Sequence, residues 1–248
     1  LRHSTTQSLL EHDDVIVISS VSCIYGIGDP DEYMAQRIPL QVGQVQSRDD
    51  FLRDLVKVQY DRNDIDFSRG TFRVRGDLVE VFPANEDSKV IRVEFFDEVI
   101  ESINITDPLT GKILQKLNHI SIYPSSHYVV GQEKQKQAII TIKEELRQRL
   151  KELKDQNKLV EHQRLEQKTM LDLEMIEEMG FCNGIENYSR HFTGLKPGEP
   201  PPTLVDFFKK DFLLIIDESH MTVPQIGAMY RGDQSRKQTL IDYGFRLP

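Results

Sequence analysis

Apolar and polar side chains alternate through the string GTFRVRGDLVEVFP, and this pattern restricts the fold more than any other feature of the chain. Phe72 and Val74 alternate with Arg73 and Arg75, and VIRVEFFDEVIESINIT continues in the same way. A period of two residues puts the apolar side chains of a β-strand on one face and the polar ones on the other. The intervening strings RGD and ANEDS are typical of hairpin turns. We therefore predict a small antiparallel β domain over residues 36–126, with one face packed and one polar.

Two uninterrupted apolar runs, Val15–Ile18 and Phe212–Ile216, lie near the two ends of the sequence. Such runs are typical of buried strands in parallel sheets, which are covered on both faces. The Gly/Pro-containing string CIYGIGDPDEY follows the first run, as expected of a βα unit. We therefore predict that residues 1–35 and 210–248 are parts of one α/β domain that the intervening residues interrupt.

A helical period of three to four residues runs from about residue 131 to residue 180. Asn157 interrupts it, and Gly180 occupies a position suited to a helix C-terminus. We predict a helical hairpin with charged outer faces, the alternative being a coiled coil, and assign residues 127–209 to a mostly helical insertion. The predicted fold is thus a multidomain α/β and α+β protein in which an antiparallel β domain and a helical segment are inserted into another domain.

The composition limits the class of protein and its compartment. The net charge is −9, so any binding of nucleic acid would depend on a local basic surface. No apolar run approaches the roughly 20 residues that span a bilayer, and no signal-peptide pattern is present. The two cysteines, Cys23 and Cys182, form no CxxC motif. We predict a reduced, cytoplasmic protein without structural zinc or a membrane partner, and we expect the sequence to be a piece of a longer protein.

The second apolar run ends in the string DESH, which suggests nucleotide chemistry. In P-loop NTPases an aspartate at the end of a buried strand holds Mg²⁺ through water, and the next glutamate activates the attacking water. Asp217 and Glu218 fit these roles, and His220 fits a coupling role beside them. The alternative is that these residues cap the following helix. Because the sequence contains no GxxxxGK[ST] loop, we expect no ATP hydrolysis by this chain alone.

Arginines lie on or beside the polar face of the predicted sheet, interleaved with acidic residues. An arginine on a strand offers a preorganised fork to carboxylates or phosphates. The interleaved acids favour a protein partner over a nucleic-acid backbone. A solvated face without a ligand is the alternative. The arginines are Arg62, Arg69, Arg73, Arg75 and Arg92.

The strings GIENYSRH and MYRGDQSRK combine aromatic and basic residues, as single-strand binding proteins do. Tyr188, Arg190 and His191 lie in the first string. Tyr230, Arg231 and Arg236 lie in the second. Ordinary helix and loop positions explain these residues equally well. The histidines show no spacing typical of metal ligands.

Four strings, SSVSCIYGIGDPDEY, YDRNDIDFSRGTFRVRGDLVEVFP, GFCNGIENYSRH and DESHMTVPQIGAMYRGDQSRKQTLIDYGFRLP, closely resemble the UvrB family along essentially the whole sequence. Members of this family are damage-verifying subunits of the bacterial nucleotide-excision-repair excinuclease. The resemblance implies that residues 1–35 and 210–248 belong to a RecA-like motor domain. It implies that residues 36–126 dock on UvrA and that residues 127–209 help to clamp DNA. The P-loop of the family would precede Leu1.

The resemblance also assigns roles to single residues. The docking arginines and glutamate of the family match Arg62, Arg73, Arg75, Arg92 and Glu94. Its Mg²⁺ and water-activating pair matches Asp217 and Glu218, with His220 beside them. Segments near its DNA path match Glu186, Tyr188, Arg190 and Arg246. Lys168 departs from the family pattern, in which arginine is usual, and this would weaken a bidentate contact there.

The resemblance implies a function for the intact protein. With ATP and Mg²⁺ it would verify damaged DNA delivered by UvrA and prepare incision by UvrC. This chain would retain UvrA binding and hold no nucleotide. One alternative is a UvrA-docking module without ATPase activity, as in the UvrB-like region of the transcription-repair coupling factor. An unrelated DExH helicase would account for DESH but not for the arginines.

Overall fold

The computed structural model describes residues 1–209 and 211–248, and the chain divides into two compact units. Each unit combines two separate stretches of sequence. The first unit comprises Leu1–Val17 and Asp29–Val129, and the second comprises Ile18–Gly28 and Val130–Pro248. The first is built on β-sheets and the second on helices. The four segments inferred from the sequence remain predictions.

The first unit contains a two-stranded and a six-stranded sheet, both within the fully described residues 38–122. The smaller pairs β1 (Ile38–Gln41) with β8 (His119–Ile122) in antiparallel fashion. The strands of the larger follow one another in chain order: β2 (Asp61–Arg62), β3 (Thr71–Arg75), β4 (Leu78–Phe82), β5 (Val90–Phe96), β6 (Val99–Thr106) and β7 (Ile113–Leu117). Only the first pair, β2 with β3, is parallel. The predicted antiparallel sheet is confirmed.

One face of the large sheet forms the core of the first unit. Helix α3 (Arg48–Lys57) begins at Ser47, whose hydroxyl accepts a hydrogen bond from the backbone N–H of Asp50. Its Phe51 and Leu55 join the apolar side chains of the sheet in one buried cluster. Each such side chain stabilises the fold by roughly 1.5–3 kcal/mol through removal from water. The opposite face therefore keeps the polar residues that the alternation predicts.

Two further helices belong to this unit, α1 (Arg2–Glu11) and α2 (Pro30–Ala35). A buried aromatic cluster lies between α1 and the residues beyond the sheet. The rings of His3 and His127 stack with their centroids 4.0 Å apart, and Tyr33 stacks on His127 at 4.9 Å. Thr6 Oγ1 lies 2.9 Å from His127 Nε2. The contacts of His3 and Thr6 with His127 join residues more than 120 positions apart in the sequence.

The second unit is built on a helical hairpin, as predicted. Its helices are α4 (Gln132–Asp155), α5 (Leu159–Met179), α6 (Ser189–Thr193) and α7 (Ser219–Asp242). Helices α4 and α5 pack on each other through buried residues such as Ile142 and Leu165. Asn157, in the turn between them, has a positive φ of 56°, and Gly180 ends α5 at φ 70°. No helix within the described ranges is both long and apolar enough to cross a membrane.

The residues after α7 approach α5 very closely. Arg164 Nη1 donates to the carbonyl oxygen of Tyr243 at 2.7 Å, and its guanidinium lies 4.3 Å from the centre of the Phe245 ring. Between these two residues, Gly244 has φ +69°. A Cβ atom at this position would lie 2.3 Å from the carbonyl oxygen of Glu161, closer than any real contact. Glycine is therefore required here for both its backbone conformation and its size.

The prediction of buried strands at Val15–Ile18 and Phe212–Ile216 is wrong for this structure. Neither run is a strand, and the side chains of Ile16, Ile18 and Leu213 are almost fully exposed. A buried strand needs neighbours that satisfy its backbone N–H and C=O groups. Among residues 1–209 and 211–248, no strand pairs with either run. The RecA-like motor domain consequently remains a prediction.

Candidate functional site

The register of the large sheet brings four of the five predicted docking residues onto its polar face. Pairing across the strands aligns Arg73, Glu80, Arg92 and Asn104 in one row. The next row contains Arg75, Leu78, Glu94 and Ser102. We call these two rows the polar face. Residues separated by many positions in sequence thus form one surface of mixed charge.

Glu80 lies at the centre of the polar face and holds two arginines. Arg73 Nε donates to Glu80 Oε2 at 2.6 Å, and Arg92 donates to Oε1 through Nε at 3.2 Å and Nη2 at 2.9 Å. Only 2% of the Glu80 side chain is exposed, against 16% of Arg73 and 19% of Arg92. Burial alone would raise the pKa of Glu80, but the hydrogen bonds and charges of the two arginines outweigh it and lower the pKa.

Further contacts restrict both guanidinium groups. The Arg73 guanidinium lies 4.2 Å from the centre of the Phe67 ring, which favours the cation. A Cβ atom added to Gly111 would lie 3.5 Å from Arg92 Nη2. The turn before β7 therefore covers the guanidinium of Arg92. A guanidinium carries five N–H groups. Beyond the bonds to Glu80, these two arginines make no further hydrogen bonds to the described residues, so several N–H groups remain for a ligand.

Glu94 is also held in place. Ser102 Oγ donates to Glu94 Oε2 at 2.8 Å, and Asn104 Nδ2 donates to Ser102 Oγ at 2.9 Å. Asn104 is buried, and its Oδ1 has no hydrogen-bond partner among the described residues. The polar face therefore presents an oriented carboxylate beside its oriented cations.

Arg62 is the fifth residue of the predicted docking set and lies outside the polar face. Arg62 lies on edge strand β2, level with Phe72 rather than with Arg73, and its Nε donates to Asp64 at 3.1 Å. The backbone N–H of Val74, the guanidinium of Arg62 and the charge of Arg75 together lower the pKa of Asp64. Arg75 itself is exposed. The predicted partner-binding roles are not tested by this geometry and stay predictions.

The sequence reasoning missed Glu80, although a signal for it was present. A two-residue turn at Gly76 and Asp77 pairs Arg75 with Leu78 and therefore Arg73 with Glu80. Counting outward from this predicted turn would have placed one acid opposite the arginine. The alternation alone does not single out Glu80, because it does not show which polar residues are buried.

Tyr188, which the family resemblance places near the DNA path, is buried in the helical unit. Its hydroxyl donates to Asp172 Oδ2 at 2.6 Å, and Lys168 Nζ donates to the same oxygen at 2.7 Å. Asp172 is itself buried, and burial together with this carboxylate raises the pKa of Tyr188. In this conformation the Tyr188 ring supports the hairpin and is not free to stack on a base.

Arg190, another of the predicted DNA-path residues, contacts Glu145 of α4. Arg190 Nη2 and His191 Nε2 lie 2.6 and 2.8 Å from Glu145 Oε2. Arg246 is half-buried, and burial lowers its pKa, whereas the negative charges of Glu145 and Glu186 act in the opposite direction. The structure thus brings Glu186, Arg190 and Arg246 into one neighbourhood. Their contact with DNA stays a prediction.

The DESH residues lie at the exposed start of α7 and not at the tip of a buried strand. Glu218 has φ +45° and precedes the first helical residue, but its side chain forms no capping bond. His220 Nδ1 lies 3.4 Å from Glu218 Oε2, with both side chains exposed to solvent. Asp217 Oδ1 accepts only the backbone N–H of Glu218 among the described residues. The predicted strand-end geometry of Asp217, Glu218 and His220 is therefore wrong for this structure.

The predicted roles of these residues toward Mg²⁺ and ATP are not tested by this geometry. No group of three or more metal-binding side chains occurs in the part of the chain that the structure describes. The catalytic roles of Asp217, Glu218 and His220 stay predictions.

The fold and the polar face define a protein in which a charged β interaction domain is followed by a helical domain. Residues 38–128 match the family model described as the UvrB interaction domain, and residues 133–194 match the UvrB third helical domain. Proteins named UvrABC system protein B are 58% identical in Caldicellulosiruptor bescii and 60% identical in Symbiobacterium thermophilum and Halalkalibacterium halodurans. Each match covers all 248 residues of this chain and 38% of the relative. The chain belongs to the UvrB family.

Proposed function

We propose that this chain is part of a nucleotide-excision-repair subunit and that its polar face docks UvrA. Membership of the UvrB family and the match to the UvrB interaction domain support the process and the partner. Because the chain spans about 38% of the length of these relatives, the activity of the whole protein belongs to the same proposal.

The observation that carries the proposal is the prearrangement of opposite charges on one sheet face. Glu80 fixes Arg73 and Arg92, while Ser102 fixes Glu94. Rigid arginine forks bind carboxylates with little further loss of freedom, and the neighbouring glutamate disfavours phosphate. The surface therefore suits a protein partner that carries both acidic and basic side chains.

The remaining functions of the intact protein follow from the family resemblance. It would verify damaged DNA with ATP and Mg²⁺ in the cytoplasm and hand the site to UvrC for incision. Asp217, Glu218 and His220 would serve the nucleotide once a P-loop domain surrounds them. The basic residues Arg190 and Arg246, gathered around Glu145, support a DNA path along the helical unit.

The docking proposal can be tested at Arg75. This arginine is exposed, whereas reversal of Arg73 would also break its buried ion pair. Arg75→Glu should weaken the binding of purified UvrA at least about tenfold, measured by titration calorimetry, because a like charge would oppose the acidic partner. Arg53→Glu is the matched control, since Arg53 is an exposed arginine on α3, which packs on the other face of the sheet.

The control should bind UvrA within about twofold of the unsubstituted chain, because solvent-exposed charges outside the interface contribute little to the binding free energy. Equal affinity for the Arg75→Glu chain and the unsubstituted chain would remove the polar face from UvrA docking.

The ATP part of the proposal needs a separate experiment. The chain alone should hydrolyse ATP no faster than buffer, because it contains no P-loop sequence. In a longer protein that supplies the P-loop, Glu218→Gln should keep ATP binding and stop hydrolysis. Normal turnover by that variant would exclude Glu218 as the water-activating residue.

A further inference from the structure

We propose that Glu80 is a positioning residue for docking: it holds Arg73 and Arg92 so that their remaining N–H groups meet carboxylates of an acidic protein segment. This inference rests on the proposed function and assigns a role to a residue that the docking set did not include. Glu80 itself, almost fully buried beneath the two arginines, would not touch the partner.

The two oxygens of Glu80 divide between the two arginines. Oε2 accepts from Arg73 and Oε1 accepts from Arg92, so one carboxylate fixes the separation of two cations on neighbouring strands. Long arginine side chains otherwise lose rotamer freedom when a ligand binds. Because Glu80 has already ordered them, the partner would meet a preorganised pair.

The charges of the cluster also favour a carboxylate ligand. Two guanidinium cations share one buried carboxylate, which leaves the cluster with one net positive charge. Without Glu80 the two cations would repel each other and turn apart into solvent. The pKa of Glu80 lies below its ordinary value, so it remains ionised at neutral pH and keeps this balance.

The surroundings direct the free N–H groups toward one occupant. Phe67 lies against the Arg73 guanidinium, and the turn at Gly111 lies against that of Arg92. Glu94, ordered by Ser102 in the adjacent row, repels phosphate and attracts a basic residue. An acidic protein segment that also carries a lysine or arginine matches this pattern of charges.

The positioning step can be measured in the free 248-residue chain. In Glu80→Gln, proton exchange at the Nε–H groups of Arg73 and Arg92 should become at least about tenfold faster by nitrogen-15 NMR, because their charged acceptor is lost. Asp87→Asn is the matched control, since Asp87 forms an exposed pair with Arg69. It should leave exchange at Arg73 and Arg92 unchanged. Unchanged exchange in Glu80→Gln would overturn the positioning role.

The docking step uses a double-mutant cycle with UvrA. Glu80→Gln should weaken binding about tenfold in the otherwise unsubstituted chain. On a background of Arg73→Gln and Arg92→Gln, the same change should cost less than about twofold, because Glu80 acts only through those arginines. An equal loss on both backgrounds would show a purely structural role and overturn the inference.

Two further results separate this inference from the proposed function. If Glu80→Gln does not fold, Glu80→Asp keeps the charge but cannot reach both arginines, and unweakened UvrA binding by that variant overturns the inference. If Arg75→Glu loses UvrA binding while a folded Glu80→Gln keeps full affinity, only the Glu80 inference fails. Absence of UvrA binding by the unsubstituted chain contradicts both.

Discussion

The β-sheet of the first unit and the run Phe212–Ile216 contain similar apolar amino acids, but most of those of the sheet are buried and those of the run are exposed. Ile100, in the sheet, is 0% exposed, and Ile215, in the run, is 79% exposed. The strands of the sheet satisfy one another's backbone groups, whereas no strand among the described residues pairs with the run. Apolar side chains therefore mark a segment that could be buried, and only pairing decides whether it becomes a strand.

The largest expected effect is on stability and tests this comparison directly. Ile100→Ala should lower the free energy of unfolding of the first unit by about 2–5 kcal/mol, because it leaves a cavity in a packed core. Ile215→Ala, the matched change in the run, should have no measurable effect in this chain. Urea titrations followed by amide hydrogen exchange would report each unit separately. A comparable loss from Ile215→Ala would show that the run is buried in solution.

Charged residues repeat the contrast. Glu80 is 2% exposed in its ion pairs, while Glu218 of DESH is 71% exposed. Glu80→Ala should destabilise the first unit by about 2–4 kcal/mol, because two partly buried arginines lose their counter-charge. Glu218→Ala should leave the unfolding free energy of the second unit unchanged, and both are measured by the same urea titration. If the two losses are similar, the ion pairs around Glu80 are not formed in solution.

The next expected effect is a dependence on pH. Burial lowers the pKa of His3 to about 4 and that of His127 to about 3, and the charges of neighbouring groups add to this. The folded state disfavours the protonated forms of these histidines. The free energy of unfolding of the first unit is therefore highest above pH 6.5 and falls as the pH drops below this value. The loss should reach about 2 kcal/mol per histidine at pH 5.

Urea titrations of the first unit at pH 7.5 and pH 5 would measure this loss. His127→Gln should lower the pH dependence by about half, because one of the two titrating rings is gone. A stability that does not change between these pH values would mean that α1 is not held by the histidine cluster.

The smallest expected effect lies in the helical unit. Tyr188→Phe should destabilise that unit by about 1.5 kcal/mol, because Asp172 loses one hydrogen bond but keeps Lys168. Tyr230→Phe is the matched control, since Tyr230 is largely exposed on α7 and should tolerate the change. Thermal unfolding would compare the two. Equal melting temperatures for both variants would mean that the hydrogen bond from Tyr188 to Asp172 is not formed in solution.

The sequence predicted those parts of the fold in which neighbours along the chain decide the structure. Alternation around Arg73 predicted the sheet, and helical spacing with Gly180 predicted the hairpin, because both depend on local periodicity. The sequence-based prediction of buried strands failed at Val15–Ile18 and Phe212–Ile216. Burial of these runs depends on partner strands, which no periodicity in the sequence reveals. The polar face was predicted from four of its residues, but Glu80 was not, because only the paired register shows that it is enclosed.

The cluster of His3 and His127 shows a second limit of sequence reasoning. The two residues are separated by most of the first unit, and neither belongs to a recognisable motif. His3 precedes the strands of the sheet in the sequence and His127 follows them. Their contact forms only when folding brings these two segments together. A single sequence carries no signal for such a pair.

The close approach at Gly244 has a consequence for sequence variation. Every other amino acid would add a Cβ against the Glu161 carbonyl and would also have to adopt a left-handed backbone. In a saturation scan of residues 243–247 selected for folding of the second unit, position 244 should accept glycine alone. Exposed Tyr243, one residue earlier, should accept many side chains, because Arg164 contacts its backbone oxygen and not its ring. Two adjacent positions would thus differ strongly in the number of amino acids that they tolerate.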